Sequence, residues 1–366
     1  MSKIQTIPMP SFFSAANAGE WGYRPDVARL AELAPNWAAE HGIKASGTDD
    51  FRLHVLGIDQ QRDFCFPEGT LFVGGRSGSG AIDDSARFAE YIYRNLGIIT
   101  RIDLTFDTHF AFQIFFPWFW VDTAGKTLQA HTLIVVSDDG KSLSNIGLDG
   151  SLLHEDVRPN PAMTSWLANG NYGFLCQYAL HYCKQLKEGG KYTLYLWPPH
   201  CLLGGEGHAL VGVIHEAHMF HALVRGSQNN AEVKGGNPFT ENYSVFRSEV
   251  LTRQDGQAIA QRNTHFLKTL TDADAVVIGG QAASHCVKSS IDDLLDEIMA
   301  QDAGLARKVY ILKDCMSSVA IPDGSGGFAV DFTDETEKAF ERFTAAGMHL
   351  VLSTDPMDTW PDLNLA

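Results

Sequence analysis

The stretch "DAVVIGGQAASHCVKSSIDDLLDEI", residues 274–298, decides the fold. Its first part is a β-branched apolar run closed by Gly279 and Gly280, which reads as a strand buried on both faces. Beyond Cys286, Val287, Ile291, Leu294, Leu295 and Ile298 recur at helical spacing. Cys286 therefore lies where a strand turns into a helix, and the unpaired N–H groups of a helix N-terminus favour a thiolate. A small buried apolar residue is the competing reading for such a cysteine. The rest of the chain has to separate the two.

Outward from this stretch the pattern repeats. "FRLHVLGID" (51–59), "IITRIDLTFD" (98–107), "LQAHTLIVVS" (128–137), "KYTLYLWP" (191–198), "RKVYILKDCMS" (307–317) and "HLVLSTD" (349–355) read as strands. "SARFAEYIYRNLG" (85–97), "LVGVIHEAHMFHALVRG" (210–226) and "DETEKAFERFTAAGM" (334–348) read as helices. Strands alternating with helices predict an α/β fold: a doubly wound, mostly parallel sheet with helices on both faces. Residues 1–50, with one helix near "RPDVARLAELAPNWAAEHG", read as an N-terminal extension to a domain of residues 51–366. Residues 140–190 read as an insertion of polar turns followed by one helical block.

Composition narrows the function. The chain has 366 residues, 45% of them hydrophobic, enough for a substantial core. A formal charge of −16 argues against nucleic acid and anionic membranes as partners, which need clustered Lys and Arg. No apolar run reaches the roughly 18 residues of a membrane span. The N-terminus lacks a basic segment followed by an apolar one, so no secretory signal is expected. The six cysteines, at 65, 176, 183, 201, 286 and 315, form no CxxC pair and no dense frame. A reducing, cytoplasmic setting follows as the expectation.

Ligand sites of open α/β sheets gather at the carboxyl ends of strands. Those ends carry Asp59 in "GIDQQRDFC", Asp107 and His109 in "FDTH", Trp197 and His200 in "WPPHC", and Cys286. Lys234 stands in "VKGGNPFTENYS". Singly, an aspartate there is a turn former, a D-x-H nothing, and a lysine a solvated charge. Together, at successive strand ends, they form a constellation.

The constellation resembles the isochorismatase-like cysteine hydrolases, and within them the nicotinamidases. "IDQQRDFCFPEGTL" is similar to the motif of the catalytic aspartate, here Asp59. "FDTH" is similar to the metal motif, implying Asp107 and His109, and "WPPHC" before "GGEGHAL" implies His200 as the last ligand. "VKGGNPFTENYS" resembles the segment of the catalytic lysine, here Lys234, and "GGQAASHCVKSSI" that of the nucleophile, Cys286. The order holds from about residue 51 to the C-terminus apart from the insertion. The nucleophile motif departs at Ser284, where many relatives carry Asp.

The resemblance implies amide hydrolysis by covalent catalysis. An unperturbed thiol titrates near 8.5 and needs help at neutral pH, which Lys234 and the helix N-terminus would supply by lowering that value. Asp59 would take the thiol proton and return it to the leaving amine. The N–H groups of Ala282 and Cys286 would face the carbonyl oxygen, and a cis peptide is implied at Gln281–Ala282. One carboxylate and two imidazoles suit a single divalent metal ion, zinc first, with iron or manganese also served by these donors. Phe64 and Trp197 would wall the substrate ring, and most of "FAFQIFFPWFW" (110–120) would be core.

Two motifs are set aside. "HEAHMFH" (215–221) lacks the HExxH spacing, and a partly solvated helix surface is expected there. "GGRSGSGAIDD" (74–84) lacks the GK[ST] ending of a phosphate loop and reads as the lead into a helix. Three functions stay open: a nicotinamidase-like enzyme acting on a small-molecule amide; a relative acting on an N-carbamoyl compound or lactam; and an inactive binding or scaffold protein. The 140–190 block, with Trp166 and Tyr172 and a break at Gly170 and Gly173, would either reshape the pocket or build a homo-oligomer interface.

Overall fold

The computed structural model describes residues 7–189 and 192–365. Residues 1–6 of the extension, Gly190 of the 140–190 block, Lys191 of the strand expected over 191–198, and Ala366 lie outside the described residues.

In chain order the helices are α1 (Val27–Glu40), α2 (Arg62–Cys65), α3 (Gly80–Arg94), α4 (Thr164–Ala168), α5 (Tyr172–Gly189), α6 (Gly212–Arg225), α7 (Thr264–Thr271), α8 (Lys288–Gln301) and α9 (Thr333–Ala345). The strands are β1 (Leu53–Ile58), β2 (Ile99–Asp107), β3 (Trp120–Val121), β4 (Thr132–Val136), β5 (Leu143–Ile146), β6 (Leu152–His154), β7 (Arg158–Pro159), β8 (Leu194–Leu196), β9 (Asn230–Lys234), β10 (Ala275–Gly280), β11 (Val309–Leu312), β12 (Ala320–Pro322), β13 (Phe328–Asp331) and β14 (His349–Val351).

The central sheet runs β14-β11-β10-β1-β2-β9 and is parallel throughout. Alternate residues of each strand enter different cores, because side chains change face every residue. Leu53 and Val55 of β1, Ala275 and Val277 of β10, and Tyr310 and Leu312 of β11 pack with α1, α3 and α6. Leu56 and Ile58, Val276 and Ile278, and Val309 and Ile311 pack on the other side with α7, α8 and α9. This two-sided burial makes the strands continuous apolar runs, and the sheet is doubly wound as the sequence predicts. The extension helix α1 lies along α6, with Trp37 edge-on to Phe220 at 6.0 Å between ring centroids.

Two sequence expectations change here. Strands do form within 128–137 and 191–198, as β4 and β8, but neither joins the parallel sheet. They build a second, antiparallel sheet in the order β6-β5-β4-β8. The block 140–190 is accordingly not only turns and helix, since it contains β5, β6 and β7 before α4 and α5. The cause is legible at the turns. Gly140 and Gly150 each follow an aspartate with φ of 70° and 81°, the backbone a tight Asp-Gly hairpin requires. The helical run does break near Gly170: α4 ends at Ala168, Asn169 and Gly170 take positive φ, and α5 starts at Tyr172, leaving Gly173 inside it.

The histidines of "HEAHMFH" are not on a solvated surface. His218 and His221 are buried, and His215 is half-buried. α6 is covered by the sheet beneath and by the extension beside it, and His221 Nε2 donates to the Ile99 carbonyl at 2.9 Å. Burial pushes His221 down to about 3 and His218 to about 4. Among the described residues, no helix is long and apolar enough to cross a membrane.

Candidate active site

The order of strands in the central sheet switches at β1: β2 follows β1 on one side, while β10 pairs with its other side. Such a switch point opens a crevice at the carboxyl ends of the strands. Asp59 follows β1, Asp107 ends β2, Lys234 ends β9 opposite Asp107 in register, and β10 leads to Cys286. The structure thus brings Asp59, Lys234, Cys286, Asp107, His109 and His200 together from five separate stretches.

Lys234 is the hub. Its Nζ lies 2.9 Å from Asp59 Oδ2, 3.0 Å from Asp107 Oδ1 and 3.5 Å from Cys286 Sγ. It also donates to the Asn242 carbonyl at 3.0 Å. Thr105 holds Asp59: its hydroxyl donates to Asp59 Oδ1 and accepts the Asp59 N–H at 3.0 Å. Cys286 sits in a turn of π-helix, Ala283–Val287, that joins β10 to α8, and it is 6% exposed. The Gln281–Ala282 peptide before it is cis, as the resemblance implies. Gly280 has φ of 126°, and a Cβ there would meet the Ile58 carbonyl oxygen at 2.1 Å, so only glycine lets the turn close against β1.

Burial dominates the electrostatics at Cys286. Burial pushes the Cys286 thiol well above its ordinary value; Lys234 pulls the other way, and Asp59 and Asp107 add to the burial. Burial is the main cause, and the charges around Lys234 add to it. One ammonium faces two carboxylates, so its charge is spent before it reaches sulfur. Burial also raises Asp59 against the pull of Lys234, while burial of Lys234 is overcome by Asp107 and Asp59, which hold it well above its usual range. Burial thus pushes both the Cys286 thiol and the Asp59 carboxyl up, and Lys234 opposes it at each.

Asp107, His109 and His200 place one donor atom each within 4.8 Å of one another, the one such group among the described residues. His109 Nε2 lies 2.9 Å from Asp107 Oδ2 and 3.2 Å from His200 Nε2. The opposite ring nitrogens face backbone carbonyls, His109 Nδ1 to Gly235 at 3.1 Å and His200 Nδ1 to Pro198 at 2.8 Å. This leaves both Nε2 atoms as lone-pair donors facing each other, the arrangement a shared cation requires. Burial would raise the Asp107 carboxyl, but His109 and Lys234 hold it well below the usual range, so the donor is ionised. At Gly235, with φ of 85°, a Cβ would meet Asp107 Oδ1 at 2.6 Å, so a side chain there would fill the cradle.

The cavity over these groups measures about 380 Å³, open mouth included, and is lined by Phe64, Trp197, Tyr243, Val319, Ala282, His285 and Cys286 among others. Phe64 stands edge-on to His200 at 5.6 Å, and Trp197 donates through Nε1 to the Tyr243 hydroxyl at 2.9 Å. The Ala282 N–H makes no hydrogen bond among the described residues. Ile114, Phe115, Phe116, Phe119 and Trp120 are core, with Phe115 and Phe116 packed on the His109 ring at 4.8 and 5.8 Å. Among the described residues, none of 140–190 lines the cavity.

Several site residues have no place in the sequence reading. Gln61 clamps Asp107 by accepting its N–H at 2.7 Å and donating to its carbonyl at 2.9 Å. Asp63 accepts from the Cys201 N–H at 2.7 Å and so anchors the His200 loop. Glu241, 3% exposed with Oε2 unpartnered, also lines the cavity, and burial first, then Asp107 and Glu249, push its carboxyl well up. Gln61 and Asp63 lie inside "IDQQRDF" and Glu241 inside "TENYS", so the stretches were visible although the partners were not.

No protein-family model matches this sequence, and no curated protein matches it. Solved structures do. The yeast nicotinamidase Pnc1p bound to the inhibitor nicotinaldehyde is similar at 18% identity over 82% of this chain and 99% of its own, with a TM-score of 0.46. The Acinetobacter baumanii nicotinamidase/pyrazinamidase is similar at 17% identity over 83% and 97%, with a TM-score of 0.46. The Pyrococcus horikoshii pyrazinamidase in complex with zinc is similar at 17% identity over 82% and 99%, with a TM-score of 0.41.

Proposed function

We propose that this chain is a metal-containing cysteine amidohydrolase that cleaves nicotinamide or a similar small aromatic amide to the acid and ammonia. The observation that carries the reading is Lys234 Nζ, within 2.9 Å of Asp59 and 3.5 Å of Cys286, which itself lines an aromatic cavity. Cys286 Sγ attacks the amide carbon as its proton passes to Asp59, whose raised affinity for protons suits that task. The carbonyl oxygen, now negative, takes the free Ala282 N–H together with the Cys286 N–H. Asp59 returns the proton to the nitrogen, the C–N bond breaks, and ammonia leaves a thioester on Sγ. Water then gives a proton to Asp59 and adds to the thioester; the acid departs and the thiol re-forms.

Asp107, His109 and His200 would hold the metal ion, and zinc fits this donor set, as iron and manganese do. A divalent ion there supplies a Lewis-acidic anchor for a ring nitrogen. Phe64 and Trp197 wall the ring. The reading places the protein in the cytoplasm, where its free thiols stay reduced.

The test is ammonia release from nicotinamide, an N-carbamoyl amine and a lactam, by wild-type protein and Cys286→Ala. Turnover of the aromatic amide that Cys286→Ala abolishes, with an unchanged circular dichroism spectrum, supports the reading. Release from the carbamoyl compound or lactam alone moves the substrate elsewhere, and an active Cys286→Ala protein removes the mechanism.

A further inference from the structure

We propose that Asp84, outside the cavity on α3, is a positioning residue that holds the Ala282 N–H in place through the side chain of Gln281. The inference rests on the reading of Ala282 as a donor to the carbonyl oxygen.

Asp84 is 1% exposed and Gln281 fully buried, and 197 residues separate them. Gln281 Nε2 donates to Asp84 Oδ2 at 2.9 Å, and Arg87 Nη2 donates to Asp84 Oδ1 at 2.8 Å. The far end of the same amide is also used, since Gln281 Oε1 accepts the Ser317 N–H at 3.3 Å. Ser317 closes the ring by accepting the Ala283 N–H on its carbonyl at 2.8 Å, and Gln281 N–H is fixed to the Ile58 carbonyl at 2.8 Å. Ala282 is thus the one peptide N–H of the Gln281–Ala283 run without a partner, clamped on both sides.

A buried carboxylate on a helix is a costly way to pack a turn. Its partners explain its presence. A fully satisfied polar network inside a low-dielectric core fixes one geometry, whereas an apolar contact would let the turn rotate. A donor aimed at a developing oxyanion loses most of its effect when its direction drifts, and such donors contribute about 10²–10³ in rate. Asp84 touches neither substrate nor reacting atoms, so its effect belongs on kcat rather than on binding.

The experiment compares Asp84→Leu, Asp84→Asn, Gln281→Leu and the double Leu variant by kinetics on nicotinamide and by ¹⁵N–¹H spectra of the free proteins. Asp84→Leu is expected to lower kcat about 10- to 100-fold with KM within about twofold. Asp84→Asn, whose carbonyl can still accept from Gln281, retains most of the rate. Gln281→Leu falls as far as Asp84→Leu, and the double variant falls no further, as members of one network do. The Ala282 amide resonance moves in both Leu variants and stays in place in Asp84→Asn. Unchanged kcat with only a lower melting temperature overturns the proposal, as do additive losses, an Asn variant as slow as Leu, or an Ala282 resonance that does not move. If the wild-type protein hydrolyses no amide, the functional reading fails and the Ala282 resonance alone decides the positioning role. If Asp84→Leu does not fold, Gln281→Leu carries both measurements.

Discussion

Lys234 Nζ lies 2.9 Å from Asp59 Oδ2, and neither side chain is more than 2% exposed. Removing one partner of a buried pair leaves an uncompensated charge, at a cost of about 3–5 kcal/mol. Lys234→Met strands two carboxylates, because Asp107 Oδ1 is 3.0 Å from the same nitrogen. It should lower thermal stability as well as turnover. Asp59→Asn keeps the shape and loses the proton shuttle, so kcat should fall about 10²–10⁴-fold with a small change in melting temperature. Near-normal turnover by Asp59→Asn would rule out its place in the chemistry.

Elemental analysis of protein purified without chelator should find about one zinc, iron or manganese per chain. His109→Ala should reduce that content about tenfold or more and lower activity in parallel, since both imidazoles face one point. Chelation should lower the melting temperature of wild-type protein, because a ligand bound only to the folded state stabilises it. Equal metal in wild type and His109→Ala would remove this site.

His221 makes the fold acid-sensitive. Burial depresses it from 6.5 to about 3, so the folded state refuses a proton that the unfolded chain accepts. Its contribution is fully present above the unfolded value and is lost as pH falls from about 6.5 towards 3, at about 1.4 kcal/mol per unit. His221→Gln can keep a donor to Ile99 and cannot titrate. Urea titrations should show a shallower loss of stability between pH 6 and 4 in that variant, and parallel curves would contradict this.

Trp166 is 73% exposed, and no described residue of its block lines the cavity. Trp166→Ala should leave the KM ratio of two amides of different size within about twofold, while Trp197→Ala should raise KM for both. A changed ratio in Trp166→Ala would bring the block back to the pocket. Light scattering on the same protein reads whether that exposed ring belongs to a homo-oligomer interface.

The sequence by itself determined the parallel core and the edge on which the chemistry stands. Two-sided apolar runs such as "AVVIGG" admit burial only between layers of helices, and parallel strands all end on one side. Asp59, Asp107 and Cys286 could therefore be placed on one crevice without coordinates. Which strands share a sheet was decided by tertiary structure, since β4 and β8 have ordinary strand character and only their hairpin partners draw them away from the core. The burial of His218 and His221 likewise depends on what covers α6, which no helical periodicity reports. The upward push on the Cys286 thiol needed its burial and the charges around Lys234, where two carboxylates from different strands face one ammonium. Gln61, Thr105 and Asp84 stayed hidden for the same reason: each acts through a partner 46 or 197 residues away, and the distance between such groups exists only once the chain has folded.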